Sequence, residues 1–173
     1  MPRLVSRRPW LLSLILVTGV GPLATDTYIS SLPEVRATLD TTSTVAQLTL
    51  TFFIAGMAIG QLLSGPVSDS RGRRSLILAS SSMFTLMSLL CAMAPTGPAL
   101  VVERAVQGLV AGTGVAVGRA VVTDRYVGAR AAAAYGTLTS ASLIGPVVAP
   151  AVGGALLAVG DWRTIFLLSL IHI

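Results

Sequence analysis

The sequence predicts an all-α protein that crosses a membrane several times. Three observations predict it: apolar runs of bilayer length, almost no charge within those runs, and arginines gathered in alternate connections between them. Only 11% of the 173 residues are charged and 53% are hydrophobic, whereas a soluble domain carries about 25% charged residues. The mean hydropathy of +0.81 agrees. The formal charge of +5 comes from twelve basic residues, all of them Arg. In a soluble chain such a balance would suggest nucleic acid. Here the arginines punctuate apolar runs, so membrane topology explains them and no nucleic-acid partner is expected. The single Cys91 lies inside an apolar run and reads as a small core residue.

A membrane helix needs roughly 20 mostly apolar residues. Five stretches satisfy this: about 10–29, 45–67, 75–94, 99–122 and 134–159. The first is preceded by Ser6-Arg7-Arg8-Pro9-Trp10-Leu11, which faintly resembles an export signal. It has no small-residue cleavage site, and its apolar run is too long for a leader. Pro33 is expected to break the helix in the connection Ser30 to Thr44, and Thr44-Val45-Ala46-Gln47 reads as a capping box opening the second span. Pro95-Thr96-Gly97-Pro98 reads as a tight turn. Gly160-Asp161-Trp162-Arg163 reads as a short connection with Trp162 at the membrane interface. A sixth, partial span covers 163–173. Ten residues rise about 15 Å, half of a bilayer core, so the sixth helix is expected to be truncated, with Ile171, His172 and Ile173 of doubtful origin.

With the N-terminus inside, Arg3, Arg7, Arg8, Arg71, Arg73, Arg74, Arg125 and Arg130 all face the cytoplasm, and Arg36 and Arg163 face outward. This is the bias that the positive-inside rule describes for short loops.

The connection after the second span reads Gly65-Pro66-Val67-Ser68-Asp69-Ser70-Arg71-Gly72-Arg73-Arg74. Gly72 suits a turn with positive φ. Asp69 sits at a helix end, and Arg73 can pair with Asp124 at the next cytoplasmic connection. In pattern and location this loop resembles the signature loop of the major facilitator superfamily, through Gly65, Asp69, Gly72, Arg73 and Arg74. Ser70 stands where the family usually has Arg. Span four contains Arg104-Ala105-Val106-Gln107-Gly108, which resembles the family's second motif, a buried Arg followed by Gln-Gly. Here Glu103 departs from the usual apolar neighbour. Gly108 with Gly112, and Gly114 with Gly118, are spaced for close helix contacts. Span five carries Gly145, Pro146, Pro150, Gly153 and Gly154, and resembles the family's antiporter motif. Span one holds Asp26 in Thr25-Asp26-Thr27-Tyr28-Ile29, followed by Leu32-Pro33, which is similar to drug exporters of the Bcr/CflA type.

The resemblance implies the N-terminal six-helix half of a major-facilitator fold, working by alternating access as a proton-coupled exporter of small amphipathic drugs. It implies a proton-coupling and substrate set of Asp26, Tyr28, Arg104 and Gln107, a cytoplasmic gating loop of Gly65, Asp69, Gly72, Arg73, Arg74 and Asp124, and an antiporter helix motif of Gly145, Pro146, Pro150, Gly153 and Gly154. Asp26 and Arg104 lie at similar depth, each about five residues from an outer helix end, and are expected to form the coupling pair. The implied partners are substrate, protons, the bilayer and a C-terminal half. The implied location is a bacterial cytoplasmic membrane. The sequence offers no phosphate-binding Gly-Lys loop, no ligand cluster and no Ser/His/Asp set, so no cofactor, metal or enzyme chemistry is expected. Two alternatives stay open: a membrane-inserted fragment that does not transport, and a carrier for a metabolite.

Overall fold

A computed structural model describes residues 9–171, and among these every regular element is helical. The expected positions 3, 7, 8, 172 and 173 lie outside the described residues. The elements are α1 (Pro9–Ile29), α2 (Leu32–Thr38), α3 (Ser43–Arg71), α4 (Arg73–Met93), α5 (Gly97–Arg125), α6 (Ala129–Val159) and α7 (Arg163–Ile171). Five of them, α1, α3, α4, α5 and α6, are long and apolar enough to cross a membrane.

The helices run past the apolar stretches that mark them. α3 continues through Ser68–Arg71 and α6 begins at Ala129, because backbone hydrogen bonding continues wherever no breaker intervenes, in lipid or out of it. Hydroxyl residues inside the spans satisfy themselves. Thr18 Oγ1 donates to the Leu14 carbonyl at 2.7 Å and Thr25 Oγ1 to that of Gly21 at 2.9 Å, which lets them sit in hydrocarbon without an exposed donor.

One local expectation is corrected, the cap of α3. Pro33 is preceded by the expected break, α1 ending at Ile29. It stands in the first turn of α2, where a missing N–H costs nothing and a fixed φ favours the helix. The cap of α3 is Thr42 rather than Thr44: its side chain accepts from Val45 N at 3.2 Å, because Thr42 has the extended backbone a cap requires and Thr44 is already helical. Trp162 is fully buried within the bundle. It packs edge-on against Phe166, with ring centroids 5.9 Å apart, in a cluster with Tyr28, Val35, Cys91 and Leu100.

α3 and α5 form the tightest pair. A Cβ at Gly56 or Gly60 of α3 would strike the backbone carbonyl of Ala105 or Leu109, and one at Gly108 or Gly112 of α5 would strike that of Phe53 or Met57. Four glycines, two from each helix, therefore bring the backbones into direct contact. α1 packs lengthwise on α6 and also touches α5, α4 lies along α5, and α7 seats on α4 and α1. The α3–α4 connection turns at Gly72, whose φ of 84° is open to glycine at little cost. No side chain crowds Gly72, so conformation alone selects it.

Candidate functional site

Arg104 is the centre of the polar interior. It lies on α5 six residues beyond Pro98 and is 0% exposed. Its Nη1 donates to Gln107 Oε1 at 2.7 Å, and Gln107 Nε2 donates in turn to Ser88 Oγ of α4 at 2.7 Å. The i, i+3 spacing puts Arg104 and Gln107 on one helix face, and Ser88 ties that face to α4. Three rings surround the guanidinium. Its central carbon is 4.0 Å from the Phe53 centroid, 4.5 Å from Tyr28 and 5.6 Å from Phe166. Tyr28 is itself fixed by a 2.7 Å hydrogen bond with Thr49 Oγ1. A charge within a membrane helix costs about 3 kcal/mol on insertion scales. Desolvated cation–π contacts contribute up to ~2 kcal/mol each, and a charge-assisted hydrogen bond adds to that. The cage is thus of the right size to hold a guanidinium that water does not reach.

Ser88, Phe53, Thr49 and Phe166 were not among the expected site residues. Phe53 and Thr49 belong to a buried stripe of α3 with Gly56 and Gly60, visible as i, i+4, i+7 spacing. Nothing local distinguishes Ser88 or Phe166.

The structure does not bring Asp26 to Arg104. Asp26 and Tyr28 are two residues apart on α1, about 200° around the helix. Tyr28 takes the place over Arg104, so Asp26 faces the other way, towards α6. There its Oδ2 lies 3.9 Å from where a Cβ of Gly145 would stand. Among the described residues no ion pair joins Asp26 to any base.

α6 meets α1 through the small residues of its Gly/Pro segment. Gly145 packs on Leu23, and a Cβ at Gly153 would come within 2.6 Å of the Thr27 carbonyl. Ser30 Oγ reaches the Pro150 carbonyl at 3.5 Å. Gly154 faces open space, and Pro146 and Pro150 are exposed on the outer side of the helix. The Asp26 carboxyl and the Gly/Pro helix, separate features in the sequence, are therefore neighbours.

At the opposite end of the bundle Arg73 joins two helix ends. Its Nη1 is 2.8 Å from Asp69 Oδ1, its Nε is 3.0 Å from Asp124 Oδ2, and its Nη1 also donates to Ser68 Oγ. Gly65 is uncrowded on α3, and Arg74 makes no ion pair among the described residues. Arg125 lies over Trp10 at 4.9 Å, and Trp10 packs against Tyr126 with centroids 5.7 Å apart. A cavity of about 120 Å³ between α1, α4 and α5, bordered by Val17, Val20, Phe84 and Ala111, contains none of the expected coupling residues.

These features describe a polytopic helical bundle with a caged arginine and a charged connection at one end. The sequence profile of the Major Facilitator Superfamily matches residues 10–172, and the chain belongs to that family. It is 40% identical over 149 residues to the uncharacterized MFS-type transporter YdgK of Bacillus subtilis, covering 85% of this chain and 37% of that one. It is 30% identical over 161 residues to multidrug resistance protein D of Escherichia coli K12, covering 93% and 41%. It is also 30% identical over 145 residues to multidrug resistance protein MdtL of Citrobacter koseri, covering 84% and 37%. The chain spans about two fifths of the length of these relatives.

Proposed function

We propose that the chain forms the N-terminal half of a proton-coupled multidrug exporter that works by alternating access, with the arginine-rich end in the cytoplasm of a bacterial inner membrane. The observation that carries this reading is the caged Arg104 with Asp26 on the neighbouring helix. A bilayer-spanning bundle does not need two ionisable groups at this depth in order to fold, and such groups are characteristic of ion and substrate pathways. Two of the relatives are named multidrug resistance proteins, which supports a drug-like substrate. In this reading Asp26 is the proton carrier. As a carboxylate it favours a water-filled, open α1–α6 seam. Once protonated it loses its charge, and α6 can close against α1 at Gly145 and Gly153. Tyr28 and Gln107 hold Arg104 while this happens. The bridge from Arg73 to Asp69 and Asp124 holds the cytoplasmic ends of α3, α4 and α5 together in the state described here.

The test is drug efflux by the complete transporter in inside-out vesicles with an imposed proton gradient. Asp26→Asn is expected to abolish gradient-driven efflux, at least about tenfold, and to leave substrate binding intact. Full gradient-driven export by Asp26→Asn would overturn the assignment of the proton to this residue. A metabolite carrier would instead show counterflow that is indifferent to the gradient.

A further inference from the structure

Arg104 meets the rest of the protein through very few polar atoms. Its Nη1 donates to Gln107 Oε1 at 2.7 Å, while its Nε and Nη2 have no hydrogen-bond partner among the described residues. One amide oxygen therefore carries the hydrogen bonding of a guanidinium that is 0% exposed. The rings around it offer no substitute, since the Tyr28 hydroxyl is engaged with Thr49. A guanidinium only donates, so Gln107 must turn its oxygen towards Arg104. Chemistry alone fixes that orientation, and it sends the amide nitrogen the other way, into a buried interior where a donor needs an acceptor.

α4 meets the amide at both of its ends. Ser88 Oγ accepts from Gln107 Nε2 at 2.7 Å, and the Cys91 thiol lies 3.8 Å from Gln107 Oε1 and points a weak donor at it. Ser88 and Cys91 are three residues apart on one face of α4, and both are fully buried. The two contacts agree on one orientation. A flipped amide would set its N–H groups against the guanidinium, donor to donor, and leave Arg104 without its acceptor. Ser88 makes no hydrogen bond of its own to Arg104 among the described residues. Its influence on the charge runs through Gln107.

We propose that Ser88 is a positioning residue for transport: it fixes the Gln107 amide, and through that amide the direction in which Arg104 points, so that the caged charge follows the position of α4. The proposal deepens the exporter reading and rests on it for its role in transport. α4 lies along α5. A slide of one helix past the other by ~1 Å carries a 2.7 Å contact beyond hydrogen-bond reach. Such a slide frees the amide to turn, and Arg104 then loses the acceptor that holds it. No bond is made to substrate and no proton is transferred at Ser88.

The test is a double-mutant cycle on the complete transporter in inside-out vesicles. Ethidium is the probe, and initial rates against its concentration are divided by the amount of inserted protein. Ser88→Ala is expected to lower turnover about fivefold and to leave KM within about twofold. Gln107→Met, close to Gln in length and volume, is expected to lower turnover about tenfold. The double variant is expected to match Gln107→Met alone, because Ser88 then has no amide to hold. Ser88→Thr keeps the hydroxyl and is expected to stay within about twofold of the original turnover. The proposal is overturned if Ser88→Ala turns over at the original rate per inserted molecule, if it changes KM alone, or if the two losses multiply in the double variant. Where Gln107→Met does not insert, Ser88→Thr decides, and a loss as large as that of Ser88→Ala overturns the proposal. The cycle is read in gradient-free counterflow as well as in gradient-driven efflux. Non-additive losses in counterflow support Ser88 even where Asp26→Asn exports at the full rate, so this proposal and the antiport reading fail separately.

Discussion

At position 104 a guanidinium sits where the bilayer offers nothing to solvate it, and aromatic faces do that work instead. Phe53, Tyr28 and Phe166 come from three different helices, so the cage exists only when α1, α3 and α7 are all in place in the bundle. The charge is therefore expected to matter for transport more than for stability. Arg104→Met keeps the length and apolar contacts of the side chain. Replacing a buried ion with a hydrophobe is typically neutral or stabilising, by up to about 4 kcal/mol. Unfolding by denaturant in detergent should show stability unchanged or raised, while vesicle efflux falls by at least about tenfold. Efflux at the original rate in Arg104→Met would remove the charge from the mechanism. Asp69, Asp124 and Arg73 present the opposite case. Their pairs are partly exposed, with side-chain exposures of 29%, 68% and 50% for Arg73, Asp69 and Asp124, and exposed pairs contribute ~1 kcal/mol or less. They suit a contact that must be broken and remade.

Among the elements, α3 and α5 behave as one body because Gly56, Gly60, Gly108 and Gly112 leave no space between their backbones. A side chain at Gly108 has only the Phe53 backbone to push against, and backbone yields less readily than a rotamer. Gly108→Val is expected to destabilise the bundle by about 3 kcal/mol or more, at the upper end of overpacking costs. Gly154→Val, on the open side of α6, should cost less than about 0.5 kcal/mol, the range of unstrained surface changes, beyond its effect on helix propensity. Comparing the two in the same denaturant titration tests the packing directly, and equal losses would refute it. α1 and α6 meet through fewer close backbone contacts, and two prolines interrupt the backbone hydrogen bonding of α6. That seam is the one better suited to opening.

For the whole molecule, orientation is the property most open to direct measurement. The only cysteine, Cys91, is fully buried and should be silent to labelling reagents. Val127, on the α5–α6 connection, and Val159, at the far end of α6, are both 85% exposed and lie on opposite sides of the bundle. In intact cells Val159→Cys should react with a membrane-impermeant maleimide, and Val127→Cys should react only after permeabilisation. The reverse pattern would invert the proposed topology and move Glu103 and Asp26 to the cytoplasmic side. The mass of apolar surface left on α3 and α6, including Leu62, Leu63, Leu143 and Val147, is compatible with lipid or with a second half of the carrier.

The sequence by itself determined the number of spans, their order and the charged connection. These depend on local quantities: the run length a bilayer demands, the cost of charge inside it, and the φ that Gly72 must adopt. It placed Arg73 opposite Asp124 correctly because both lie at helix ends that short connections force into one layer. It put Asp26 beside Arg104 because depth along a helix can be counted, whereas the face a residue turns depends on where the neighbouring helices stand. Only the tertiary structure decided that Tyr28 covers Arg104, that Ser88 and Phe166 complete its surroundings, that Asp26 looks to Gly145, and that Trp162 is buried. Each is a contact between helices distant in the chain, set by how glycine-lined backbones close together, and no single segment encodes it.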